Sequence, residues 1–95
     1  MNCNLPRTLV HEVLAHADCG LILLTDDGRV ELPERTARAV AHVRGVYDQT
    51  VRYLLAEDWL VLSAIRELDG CCLVPTDAGR GVLNREAAAP SGVAR

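Results

Sequence analysis

The segment from Thr50 to Leu83, TVRYLLAEDWLVLSAIRELDGCCLVPTDAGRGVL, decides the fold. It opens with a helical period, in which Val51, Leu54 and Leu55 share one face. After Asp58 the period changes. Two short apolar runs follow, Trp59–Ile65 and Cys71–Val74, with Asp69-Gly70 between them as a tight turn, and this pattern predicts a hairpin. Thr76 is then placed to cap a final short helix, which Gly79 and Gly81 weaken. The competing reading continues WLVLSAIREL (residues 59–68) as helix, since its apolar spacing also fits one, and gives a compact helical domain.

Upstream, Pro6 suits the first turn of a helix over residues 5–17, where its missing N–H costs nothing. Leu9, Val10, Val13, Leu14 and Ala17 form the buried stripe, and Gly20 ends it. LILLTDDGRVEL (residues 21–32) reads as two short strands about a turn at Gly28. A second helix is predicted from Pro33 to Arg44, packed through Ala37, Val40 and Ala41, with Gly45 as its breaker. A third covers about Asp48–Asp58, with Asp48 as N-cap. Two helices this close are the spacing of a helix-turn-helix, and also of any corner between helices.

At 95 residues the chain is one small domain that buries about 65% of its unfolded surface. Expected boundaries are 1–85 for the domain and 86–95 for a flexible C-terminal tail of weak core-forming residues. Only Trp59, Tyr47 and Tyr53 are aromatic, so Leu, Val and Ala must fill the core. Thirteen acidic residues outnumber ten basic ones, all arginine, which counts against tight non-specific binding to nucleic acid. No targeting segment or bilayer-length apolar run is visible, so a cytoplasmic protein with reduced cysteines is expected. Adjacent Cys71 and Cys72 would point to opposite faces of a strand, poorly placed to share a metal or a disulfide.

Residues 50–83 resemble the recognition helix and wing of winged helix-turn-helix proteins, most closely the MarR-like group of regulators. Thr50, Val51, Leu54, Leu55, Trp59 and Leu60 match that family's helix and its run into the wing. Thr76, Gly79, Arg80 and Leu83 match the segment that follows. The resemblance implies an α+β winged-helix domain of three helices and a two-stranded wing, binding double-stranded DNA as a transcriptional regulator. Three departures stand out. Asp58 occupies the place of a usual glycine, the wing tip carries Glu67 and Asp69 beside Arg66, and the family's long dimer-building terminal helices have no counterpart. A homodimer would need another seam, for which the apolar helix at residues 5–17 is the candidate. LLTDDGRVEL and LVPTDAGRGVL echo one another, but local turn and cap chemistry accounts for that better than a repeat.

If Val51, Leu54 and Leu55 point inward, then Gln49, Arg52, Tyr53 and Ala56 point out. Glutamine pairs with adenine edges and arginine with guanine in the major groove. Arg66 on the wing and Arg35 or Arg38 on the supporting helix are the candidate phosphate contacts. Glu57 and Asp58 at the far end of the helix would repel phosphate. A continuous positive stripe through Arg35, Arg38, Arg52 and Arg66 is expected if DNA is the partner, and a negative surface if a protein binds the exposed apolar wing instead. HEVLAH (residues 11–16) is not a zinc motif, because its histidines are five apart and about 140° round the helix. Ser63 lacks a flanking His–Asp pattern, and Gly79 and Gly81 make no phosphate loop. No enzyme activity, cofactor or metal is expected.

Overall fold

The computed structural model describes the backbone of residues 7–67 and 69–94 and the side chains of residues 9–67 and 69–85. In chain order the elements are α1 (Arg7–Asp18), β1 (Leu23–Thr25), β2 (Val30–Glu31), α2 (Glu34–Ala39), α3 (Arg44–Ala56), β3 (Leu60–Arg66), β4 (Gly70–Pro75) and α4 (Asp77–Ala94). A 3-10 turn, Ala41–Val43, joins α2 to α3. The four strands form one antiparallel sheet in the order β2-β1-β4-β3. The architecture is therefore α+β, with four helices where three were expected. The β3–β4 hairpin is also more than a two-stranded ribbon: β4 pairs with β3 on one side and with β1 on the other.

Helices α1 and α3 supply most of the core. Val13, Leu14 and Ala17 of α1 meet Tyr47, Val51 and Leu54 of α3, and Leu60 of β3 and Leu73 of β4 join the same cluster. All are buried, as the helical period requires. Among the described residues of the α1 stripe, Leu9, Val13, Leu14 and Ala17 are buried within the domain, where α1 packs against α3, α4 and β4. Thr50 is buried too, and its hydroxyl donates to the Val46 carbonyl at 2.7 Å. Among the described residues no buried side-chain polar atom lacks a hydrogen-bond partner.

The break between the second and third helices falls earlier than Gly45. Val40 (φ −106°, ψ 11°) and Val43 (φ −128°, ψ 23°) leave helical geometry, and Gly45 lies inside α3. Arg44 explains the shift. Its Nε donates to Asp48 at 2.8 Å and its Nη2 to the Val30 carbonyl at 2.5 Å, clasping the first turn of α3 to β2. Asp48 is thus an ion-pair partner one turn in, not the N-cap. The corner costs little, because glycine in a first turn interrupts few intrahelical hydrogen bonds.

Asp58 ends α3 with φ +62°, a left-handed backbone. The Trp59 N–H donates to the Leu54 carbonyl at 2.9 Å and the Asp58 N–H to the Leu55 carbonyl at 3.2 Å, the paired bonds of a Schellman cap. Glycine is the residue that adopts this backbone without steric cost, and aspartate stands here instead. Asp58→Gly is accordingly expected to stabilise the protein by about 0.5–1 kcal/mol. A rise in the urea midpoint would register it, and an unchanged or lower midpoint would show that Asp58 bears no strain.

Strand assignment for residues 60–66 answers the rival helical reading. The predicted hairpin at residues 21–32 is present as β1 and β2, with Gly28 at φ +86° in its turn. Thr76 caps α4 as expected: the Gly79 N–H donates to its Oγ1 at 3.1 Å, and its own hydroxyl donates to the Asp58 carbonyl at 2.6 Å. The final helix is longer than expected, reaching Ala94. A flexible tail over residues 86–95 was expected on side chains, and on Arg95, that lie outside the described residues, as does Pro6. Among the described residues no helix is long and apolar enough to cross a membrane.

Candidate nucleic-acid interface

The outward face of α3 carries Gln49, Arg52 and Ala56, all exposed. Tyr53 does not join them. It is half-buried and packs against the core cluster, so its ring is not free to read a groove as expected. At about 100° per residue Tyr53 lies on the flank of the buried face formed by Tyr47, Thr50, Val51 and Leu54, whereas Gln49, Arg52 and Ala56 lie roughly opposite it.

The four arginines proposed as a positive stripe are mostly engaged. Arg52 is exposed and donates from Nη2 to the Gly28 carbonyl at 3.1 Å, which uses one of the several N–H donors of its guanidinium. Arg66 pairs with Asp26 at 2.5 Å, and Arg38 pairs with Glu34 one turn back at 2.6 Å. Arg35 is exposed. Carboxylates thus interrupt the stripe at two of its four positions.

The place of the β1–β2 turn in the sheet is the feature that the sequence did not reveal. Pairing of β1 with β4 sets Thr25 opposite Gly70, which brings Asp26 and Asp27 beside the β3–β4 turn. The Asp26 N–H donates to the Asp69 carbonyl at 3.1 Å. Exposed Asp26, Asp27, Glu67 and Asp69 therefore surround Arg29 and Arg66, and the tip is locally acidic. Hydrogen bonding by the Thr25 hydroxyl, with help from Arg29, holds the Asp27 carboxyl below its ordinary range. Hydrogen bonding and charge from Asp26 push the Arg66 guanidinium above its own. No local signal in LLTDDGRVEL predicts which distant strand it will join.

Between this hairpin and α3 lies an open cleft of about 340 Å³, lined by Arg29, Arg44 and Arg52 together with Glu31 and Asp48. Each of the three guanidiniums already contacts a protein oxygen: Arg29 meets Asp27 and Glu31, Arg44 meets Asp48, and Arg52 meets Gly28. The cleft is a salt-bridged joint that fixes α3 relative to the sheet.

The remaining surface of note is apolar. On the edge strand β3, Val61, Leu62 and Ile65 are 46%, 49% and 73% exposed. Ile65 owes its position to a bulge: Leu62 pairs with Leu73 and Arg66 with Cys71, so Ser63, Ala64 and Ile65 face the single residue Cys72. Such a bulge disrupts the straight hydrogen-bonding edge on which another strand would add.

His16 is used internally, its Nδ1 lying 2.7 Å from the Tyr47 hydroxyl. Cys19 is exposed, and Cys71 and Cys72 are half-buried free thiols. Among the described residues no three His, Cys, Asp or Glu side chains gather closely enough to hold a metal ion. Comparison with family models, curated proteins and solved structures finds no match to this chain.

Proposed function

We propose that the chain is a winged helix-turn-helix module that binds duplex DNA selectively, as a small transcriptional regulator. One observation carries the reading. A solvent-facing helix bearing Gln49 and Arg52 leads directly into a hairpin whose inner strand, β4, is held by β1, so helix and wing are fixed side by side. That arrangement, with the short α2–α3 corner behind it, supports the likeness to the MarR-like pattern in residues 50–83. Gln49 and Arg52 suit adenine and guanine edges, while Arg66, Arg35 and Arg38 supply phosphate contacts. Exposed ion pairs such as Arg38–Glu34 are worth only about 0–1 kcal/mol, so a phosphate can replace the carboxylate.

A net charge of −3 leaves little drive toward arbitrary duplex, so affinity must come from base contacts and from a second copy on an adjacent half-site. Selection from a random duplex library at low salt tests the reading. From the selected site, Arg52→Ala should lose about 1–3 kcal/mol at one base pair and relax specificity there. Arg35→Ala should weaken binding to all sequences alike and reduce the salt slope by about one. A selection that returns nothing above background defeats the reading.

A second reading, a protein-binding module that ignores DNA, is favoured by the exposure of Val61, Leu62 and Ile65. Its simplest partner is another copy of the chain meeting side chain to side chain across β3. Sedimentation at micromolar concentration tests this. Dimers lost on Ile65→Glu would support it, and a monomer of 10.3 kDa unchanged by that substitution would not.

A further inference from the structure

We propose that the β1–β2 turn, and Asp26 in particular, determines how strongly the α3–wing face discriminates against ordinary duplex DNA. The inference rests on the DNA-binding reading above. Two arginines bear on it, Arg52 from α3 and Arg66 from β3. Both converge on three consecutive residues, Arg66 on the Asp26 carboxylate at 2.5 Å and Arg52 on the Gly28 carbonyl at 3.1 Å. The turn therefore sits between the helix and the wing, where the backbone of a duplex touching both would run.

The turn is also fixed in place. The Asp26 N–H is bonded to the Asp69 carbonyl at 3.1 Å, and the Gly28 N–H to the Thr25 carbonyl at 3.0 Å. Thr25 Oγ1 accepts from the Arg29 N–H at 2.9 Å. With its backbone anchored, the Asp26 carboxylate can rotate but stays in the neighbourhood of Arg66 when a phosphate approaches. Either the phosphate displaces it from Arg66 and remains beside its negative charge, or Arg66 contributes nothing. Both outcomes penalise contacts to phosphate, which every sequence offers, and leave base-edge contacts from Gln49 and Arg52 intact. Selectivity is a difference of affinities, and repulsion of the wrong partner widens it as surely as attraction of the right one.

Asp26 is the residue to alter. The Asp27 carboxylate is tied to Thr25 and Arg29 and shapes the turn, whereas Asp26 reaches across to the wing. The experiment measures binding of a short random-sequence duplex at low salt by fluorescence anisotropy, using the wild-type chain, Asp26→Asn and Glu12→Gln. Glu12 is exposed on α1, so Glu12→Gln makes the same change of net charge elsewhere. Asp26→Asn should bind about tenfold tighter with a salt slope steeper by about one, because Arg66 becomes available, while Glu12→Gln stays within about twofold of wild type. Adding Arg66→Ala to Asp26→Asn should abolish the gain. Equal shifts for Asp26→Asn and Glu12→Gln would reduce the effect to net charge and overturn the proposal. So would wild-type binding that Asp26→Asn leaves unchanged, with the DNA-binding reading still standing. Absence of binding by every variant, Asp26→Asn included, would overturn the proposal, while the selective reading is decided by the library selection.

Discussion

Replacing Gly79 by alanine is expected to destabilise the protein by roughly 2–3 kcal/mol, while the same change at Gly81 is expected to stabilise it by up to about 1 kcal/mol. Both glycines lie in α4, where alanine is the better helix former. Surroundings separate them. A Cβ at Gly79 would stand 2.2 Å from the Trp59 carbonyl oxygen and 3.3 Å from Leu14 Cδ2, whereas one at Gly81 would meet nothing nearer than Arg85 Nη1 at 3.6 Å. The Trp59 carbonyl cannot retreat freely, because it also accepts the Thr76 N–H at 3.0 Å. Relief therefore requires α4 to lift from the β3 entry and from α1 together. A domain of this size has about 5–14 kcal/mol in total, so the loss is a substantial share. Urea denaturation of the two variants side by side is the test. Equal midpoints would mean that α4 does not pack this closely on Trp59.

This contrast also marks where the sequence was legible. LVPTDAGRGVL disclosed the Thr76 cap and the helix after it, because capping is a matter of three or four neighbouring residues. It did not disclose which glycine was indispensable, since that depends on Trp59, twenty positions away in sequence. The helical stripe of α1, the β1–β2 hairpin and the switch from helix to strand near Asp58 were readable for the same local reason. The corner before α3 was misplaced because Gly45 is a strong local breaker, while the Arg44 contacts to Asp48 and Val30 that override it are partly long-range. Tyr53 was misassigned by one helical step, a rotation of about 100° that periodicity alone does not resolve when both neighbouring faces hold apolar residues. The pairing of Arg66 with Asp26 spans forty residues, and it follows from the β1–β4 ladder, which no pattern within either strand announces.

Tyr47→Ala is the second large loss, expected at about 3–5 kcal/mol by analogy with other buried aromatic truncations, and Tyr47→Phe is expected to cost only about 1 kcal/mol. Tyr47 is fully buried on α3, with its hydroxyl bonded to His16 of α1, so ring and hydroxyl together set the angle between the two helices. The pair of variants divides packing from hydrogen bonding, and pH provides an independent check. Burial, then the nearby charge of Glu12, raises the phenol well above its ordinary value of 10.0, with Arg44 opposing and Asp48 adding. Below about pH 10 the phenol is protonated whether the chain is folded or not, and it adds no pH dependence to stability. Above that the unfolded chain releases the proton and the folded one retains it, so wild-type stability should fall by up to about 1.4 kcal/mol per pH unit. Tyr47→Phe should lack this alkaline loss. Urea midpoints between about pH 8 and 11 measure it, and parallel curves for the two proteins would show that the phenol ionises as easily folded as unfolded. Because Tyr47 sits on the inner side of the helix that exposes Gln49 and Arg52, Tyr47→Phe should keep the proposed duplex-reading face in place. Tyr47→Ala, which removes the ring from between α1 and α3, should displace that face along with the loss of stability.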